Sequence, residues 1–409
     1  VAAVHQIVAT LRYGDAIGNQ ALGIARVLRA AGYDSEILVE HADARSRDLA
    51  VDYRDMVDEV GADDILIDHF SLGSRASRTA FALPCRLILN YHNITPPEYF
   101  IGVHDLLVRE CFKGRREIAA YRTRVDLALG ASEFNRQELA AMGFAPTAVL
   151  PVVPSFAHLA GPPDPRVLAA YDDEATNVLF VGRITPNKRQ DGLIRHFHAY
   201  QTHFNPRARL LLAGTAEGFE GYLIQLRVLA ADLGVRDVEF LGQVTNEQLT
   251  ALYDVADLFL SASEHEGFCV PLVEAFHKHV PVIALARAAV PATMDGGGIL
   301  YDTTDPIEVA ALMDAVLSDD GLEDRVLDAQ AAALARLLAR DFDGALLGFV
   351  AQVAAAPRRP LPPVAADFWD DFRVANELDD IRRERPLAFH RLPPPPESRG
   401  LGVRAGGRA

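Results

Sequence analysis

Two carboxylates, Glu266 and Glu274, stand with seven residues between them in the stretch Ser-Ala-Ser-Glu-His-Glu-Gly-Phe-Cys-Val-Pro-Leu-Val-Glu-Ala-Phe, residues 261–276. The apolar run at 257–260 reads as a strand and 271–279 reads as a helix, so the pair brackets a strand-to-helix turn. Gly267 removes a side chain where the backbone must come close to something, and Pro271 suits a first helical turn. The mouth of that turn runs through Gly267, Phe268, Cys269, Val270, Pro271 and Leu272. Free N–H groups between Val270 and Val273 point into it, and a phosphate matches them. Glu274, one turn further in, can accept from a pair of ribose hydroxyls. Glu266, on the loop, can accept from sugar hydroxyls or stabilise positive charge.

A cationic pair lies upstream, in Val-Gly-Arg-Ile-Thr-Pro-Asn-Lys at 181–188. Gly182 opens the turn, Arg183 offers a forked donor set and Lys188 a mobile point charge. Together they make a diphosphate clamp, because a departing diphosphate gains negative charge in the transition state. His92 is the remaining candidate, in Asn-Tyr-His-Asn-Ile-Thr-Pro-Pro at 90–97. It follows a strand, where open α/β sheets place their ligands, and the paired prolines after it describe a rigid loop rather than a core position.

The elements that must hold these residues alternate in βα order, the pattern of parallel sheets wrapped by helices. Strands are expected at 5–10, 35–39, 64–68, 86–91, 126–130 and 147–150, then at 177–183, 209–214, 238–241, 257–260, 282–285 and 299–301. Four prolines and a glycine at 151–164 read as a linker between two such units. After the first strand, Arg-Tyr-Gly-Asp-Ala-Ile-Gly-Asn-Gln at 12–20 leads into a helix. It is not Gly-x-Gly-x-x-Gly and has no acidic residue at the ribose position, which disfavours a dinucleotide cofactor. Gly14 and Gly18 instead let the loop fold over a substrate shared between two domains.

With 409 residues the chain can bury two full cores. A net charge of −16 argues against nucleic acid as the main partner. Three cysteines without metal-ligand spacing, and no evident leader, suggest a reducing cytoplasm. No apolar run approaches the roughly 20 residues that span a bilayer. Basic residues crowd 109–124, with Arg109, Lys113 and Arg116 on one helical face. That face is read equally as a solvated helix or as a contact for an anionic acceptor or a membrane surface. Gly114 argues against one continuous helix there.

Over residues 1–355 the sequence resembles the retaining glycosyltransferases of family 4. The resemblance rests on the His92 loop, the Arg183/Lys188 clamp and the Glu266/Glu274 pair. It implies the GT-B fold: two Rossmann-like parallel-sheet domains facing a cleft, with C-terminal helices crossing back to the first. Residues 1–155 would bind the acceptor and 156–340 the nucleotide sugar. Residues 341–356 would form the crossover helix and 357–409 a proline-rich tail, with a short helix at 367–384.

By the same resemblance, Gly14, Asp15 and Gly18 lie beside the donor diphosphate. Gln243 and Val244 meet the base, and Glu274 holds the ribose. Asn19, Tyr91, Asn93 and Thr95 serve the acceptor, and His92 and Glu266 flank the scissile bond. The implied reaction moves a hexose-type sugar from a UDP- or GDP-sugar to a hydroxyl of a glycan or lipid-linked acceptor. No cofactor or metal is expected, since the clamp and the helix N-terminus do a metal's work. A nucleotide-sugar epimerase of the same architecture and a non-catalytic nucleotide-sugar-binding partner are the competing readings.

Overall fold

The computed structural model describes residues 2–12, 15–56, 58–152 and 154–361. Gly14 and the expected helix at 367–384 lie outside them.

Among the described residues two parallel sheets are formed. The first contains β1 (Val4–Leu11), β2 (Ile37–Ala42), β3 (Val51–Asp52), β4 (Ile65–Phe70), β5 (Arg86–Tyr91), β6 (Leu127–Gly130) and β7 (Thr147–Val149), in the order β3-β2-β1-β4-β5-β6-β7. The second contains β8 (Asn177–Val181), β9 (Arg209–Ala213), β10 (Val238–Gly242), β11 (Leu258–Ser261), β12 (Val282–Leu285) and β13 (Ile299–Tyr301), in the order β10-β9-β8-β11-β12-β13. The strand order reverses beside β1 in one sheet and beside β8 in the other, and ligands of open α/β sheets bind at such switch points. The loops after β1 and β8 carry the 12–20 and 182–188 segments. The two-residue β3 was not expected, since so short a run has no periodicity to detect.

These strands are apolar almost throughout because helices cover both faces of each sheet. Ile65, Leu66, Ile67, Leu87, Ile88 and Leu89 are all buried. Each fully buried aliphatic side chain contributes about 1.5–3 kcal/mol relative to exposure. Polar residues inside such runs are therefore costly unless paired. Gln6, Asp68, His69 and Asn90 are four of them, all buried.

The last helix of the described residues, Phe342–Ala355, returns to the first sheet: Leu346, Val350 and Val353 share a core with Val4, Ile24, Ile67 and Ile88. Arg86 Nη1 seals the contact by donating to the Val353 carbonyl at 2.8 Å.

The helix Asp105–Ala120 runs unbroken through Gly114, contrary to expectation. A Cβ there would lie 3.3 Å from Ile94 Cδ1 and 3.4 Å from the Gly73 nitrogen, so glycine permits close helix packing that offsets its poor helix propensity.

Candidate functional site

Lys188 and Glu266 form a direct ion pair. Local turns bring them together across 78 positions of sequence. The 3-10 turn Pro186–Lys188 is stitched to the loop after β11 by two bonds. Glu264 N donates to the Asn187 carbonyl at 2.9 Å, and Asn187 Nδ2 donates to the His265 carbonyl at 3.1 Å. The Lys188 side chain is 22% exposed and that of Glu266 8%. Burial pulls the ammonium pKa down, but the Glu266 carboxylate more than compensates and leaves it raised. Cys269, in left-handed conformation at φ 73°, caps the helix Val270–His277, and burial drives its thiol well up. Phe268 is buried, with its carbonyl accepting from Thr293 Oγ1; Leu272 is buried, while Val270 and Pro271 are half-buried.

Glu274 is already engaged. Its carboxylate accepts from Tyr253 Oη at 3.0 Å and lies 2.9 Å from His158 Nε2. His158 comes from the 3-10 turn Ala157–Leu159 inside the interdomain segment. Its pKa is raised, first by that bond to Glu274, with burial opposing. Two residues earlier, Phe156 stacks on His277 of the same helix at 4.2 Å.

Arg183, the other member of the expected clamp, is engaged within the fold: its Nη2 donates to the Glu217 carbonyl at 2.8 Å, and its guanidinium lies 5.2 Å from the Phe219 ring centre. Phe219 offers a π face, which guanidinium groups favour. Phe219 in turn meets Phe100 and His104 of the first domain, with ring centres 5.8 and 5.1 Å apart. Gly182 stands beside it, half-buried; Gln243 is exposed, and Val244 packs on the second-domain core.

On the first-domain side, His92 is half-buried, and burial lowers its pKa to about 4. Its Nε2 lies 2.9 Å from His69 Nδ1, with the two rings stacked at 5.1 Å. Asn93, at φ 74°, faces the second domain, where its Oδ1 meets His265 Nε2 at 3.0 Å. A Cβ on Gly267 would come within 2.9 Å of Asn93 Cβ and 3.4 Å of the His92 carbonyl. Gly267 is thus the point where the two site loops touch, the close approach its residue type suggested. Tyr99 adds to this contact: its ring lies 6.2 Å from that of His265, and its pKa is raised by burial and by the Glu264 carboxylate.

Three residues expected to meet ligand have partners within the fold. Asp15 is the N-cap of the helix Ala16–Ala30, its carboxylate accepting from Gly18 N, because that helix needs an acceptor for its free first-turn amides. A Cβ on Gly18 would lie 2.4 Å from the Arg12 carbonyl, so that glycine serves strand-to-helix packing. Tyr91 is fully buried; its Oη donates to Glu138 at 2.8 Å and accepts from Ile94 N at 3.0 Å, which leaves it no acceptor surface. Asn19 is exposed on the Ala16–Ala30 helix and Thr95 is half-buried.

His69, His158, His265, Tyr99 and Tyr253 were missed. For His69 a signal existed, a polar residue inside an apolar strand. For the others only the folded geometry reveals the role. Among the described residues no cluster of three or more His, Cys, Asp or Glu is placed to hold a metal ion. No helix there is long and apolar enough to cross a membrane.

Residues 166–332 match the model of the family Glycosyl transferases group 1. The chain is 32% identical over 186 residues to a D-inositol 3-phosphate glycosyltransferase of Xylanimonas cellulosilytica, covering 45% of this chain and 43% of that protein. It is 29% identical over 144 residues to the O-antigen chain mannosyltransferase B of Escherichia coli, covering 35% and 37%. The matches thus span less than half the length of these relatives. Among solved structures, Anabaena HepE in complex with UDP-glucose superposes with a TM-score of 0.67 at 17% identity, over 86% of this chain and 100% of that one. The architecture is GT-B.

Proposed function

We propose that this chain is a retaining glycosyltransferase of family 4 that moves a hexose-type sugar from a UDP- or GDP-sugar to a hydroxyl of a glycan or lipid-linked acceptor. The observation that carries the reading is the part-buried Lys188–Glu266 pair beside the start of the helix Val270–His277, held against the His92–Asn93 loop of the other domain. Two further findings support it. Residues 166–332 match a glycosyltransferase family, and a structural neighbour is a complex with UDP-glucose.

In this reading Lys188 and the amides of the Val270–His277 helix neutralise the departing diphosphate, so no metal is needed. A mobile point charge suits a group whose charge builds up during the reaction. Glu266 steadies the lysine and the transferred sugar. Glu274 takes the ribose hydroxyls in exchange for His158, while Tyr253 stays behind it. Arg183 swings from Phe219 to the diphosphate once donor is bound. His92 and Asn93 line the acceptor side. Attack comes either from the face the diphosphate leaves, with a phosphate oxygen taking the acceptor proton, or through a covalent sugar–enzyme intermediate.

The chain acts in the cytoplasm at a membrane face, through the helix Asp105–Ala120. That helix carries Arg109, Lys113 and Arg116 and exposes 62% of Leu106.

The test is acceptor-dependent release of nucleoside diphosphate from UDP- and GDP-sugars with EDTA present. Product formed with retained anomeric configuration supports the proposal. A changed nucleotide sugar formed without acceptor would make the protein an epimerase, and binding without turnover would make it a non-catalytic partner.

A further inference from the structure

A column of buried polar side chains runs beneath His92 across three neighbouring strands. Gln6 on β1, His69 on β4 and Asn90 on β5 are 0%, 1% and 0% exposed, in a sheet otherwise filled with aliphatic residues. The register places them on one face: Val8 pairs with His69, and His69 with Asn90. His92 lies two residues beyond Asn90 and so continues that face at the carboxyl end. Buried polar groups are retained only where they are paired, and the pairing here has a direction.

Gln6 Nε2 lies 3.0 Å from the Ala21 carbonyl, which only accepts, so the amide nitrogen is the donor and Gln6 Oε1 remains as an acceptor. His69 Nε2 lies 2.9 Å from that oxygen and must donate to it. A neutral imidazole carries one N–H, so His69 Nδ1 holds a lone pair. The partner of that lone pair is His92 Nε2 at 2.9 Å, which therefore carries the proton. Asn90 Nδ2 donates to Gln20 Oε1 at 3.2 Å and lies 3.4 Å from the His69 Nδ1 lone pair, while its 3.4 Å approach to His92 Nε2 sets one N–H beside another and carries no bond. This proton arrangement pairs every ring nitrogen and amide atom that joins Gln6, His69 and His92, while Asn90 Oδ1 and Gln20 Nε2 are left without a partner.

We propose that Gln6 and His69 are positioning residues that lock His92 in its Nε2–H tautomer, leaving Nδ1 as its one acceptor atom. His92 then meets substrate only as an acceptor of a hydroxyl proton and takes no part as a cationic donor. The proposal rests on the reading that His92 serves sugar transfer. It adds a tautomer, set two residues deep in the sheet, since the protonated ring nitrogen of a histidine is decided by the bond its other nitrogen makes.

The experiment combines a spectrum with kinetics on the full chain. Histidine-selective nitrogen-15 NMR, with His92→Ala to assign the signal, should give a pyridine-type Nδ1 and a pyrrole-type Nε2 for His92. The opposite pattern, or a doubly protonated ring at neutral pH, overturns the proposal without reference to activity. His69→Leu removes the acceptor and should lower kcat at least about tenfold, with donor KM changed less than about threefold. His69→Asn, whose side-chain oxygen replaces Nδ1 as an acceptor, should recover most of that loss. Equal losses in the two variants, or a loss carried in KM, overturn the positioning role. Undiminished turnover in His92→Ala would instead sink the role of His92 in transfer, and the spectrum alone would then decide the relay.

Discussion

Asn93 Oδ1 and His265 Nε2, 172 residues apart in sequence, are 3.0 Å apart across the boundary between the two domains. A carbonyl oxygen accepts, so His265 donates, and its buried ring is held neutral by a pKa lowered to about 4. The bond lies beside Gly267, where a Cβ would come within 2.9 Å of Asn93 Cβ and 3.4 Å of the His92 carbonyl. Closure of the domains and assembly of the site are therefore a single event.

Gly267→Ala should separate them. Its Cβ would sit 2.9 Å from Asn93 Cβ, a distance that packed atoms do not tolerate, so the domains must part. Turnover is expected to fall by roughly 100-fold, the cost of misplacing reacting groups by about an ångström. Small-angle scattering should record a larger radius of gyration. Asn93→Ala, which removes only the hydrogen bond, should cost about 1 kcal/mol of closure. Unchanged scattering and turnover in Gly267→Ala would show that the loops need not touch.

Lys188→Ala leaves Glu266 buried without its cation. Breaking such a pair on one side destabilises by about 3 kcal/mol, because the remaining charge has lost its solvent and its partner. Urea denaturation of the second domain checks this. Adding Glu266→Gln should restore most of the stability while donor binding stays weak. Recovery of both properties together would argue that Lys188 never meets a phosphate.

His158 links pH to stability through Glu274. Its folded pKa is raised, by the bond to Glu274 against burial, so the stabilisation is complete below the ordinary histidine value of about 6.5 and is lost as pH climbs through the folded value. The melting temperature of the unmodified chain should therefore fall more steeply above pH 6.5 than that of His158→Gln. Parallel curves for the two proteins would dismiss the contact as energetically silent.

Asp68 and Glu117 make a second, opposite kind of acid site. Burial raises Asp68 to about 8, with the Glu117 charge adding to it, and burial raises Glu117 to about 7 against the pull of Arg78. Ser77 lies 3.4 Å from Asp68, and Tyr121, buried beside them, is raised well above its ordinary range. Both carboxyls hold protons in the folded state that the unfolded chain releases near pH 4, so folding weakens as pH rises from there towards 8. The stability of Asp68→Asn relative to the unmodified chain should rise from pH 5 to pH 8, as read from urea midpoints. A relative stability that does not rise between the two values would mean that Asp68 is ionised in the fold.

Much of the architecture was legible in the residues themselves. Apolar runs at strand length, separated by helical periodicity, determine two parallel βα units, because burial on both faces demands that composition. The turn chemistry around Gly182, Gly267 and Pro271 marks the loops at the carboxyl ends of the strands, where ligands of such sheets lie. Residue types thus specify which side chains are chemically able. Their company was left to the fold.

That Lys188 meets Glu266, that Arg183 rests on Phe219, and that Asp15 and Tyr91 are spent on a helix cap and a core bond are consequences of tertiary placement. The same holds for the column from Gln6 to His92, whose polar members each look like an error in a buried strand until the next one is beside it. Periodicity records how one element meets solvent and core. The direction of a hydrogen bond between strands distant in sequence depends on coordinates that no local pattern carries.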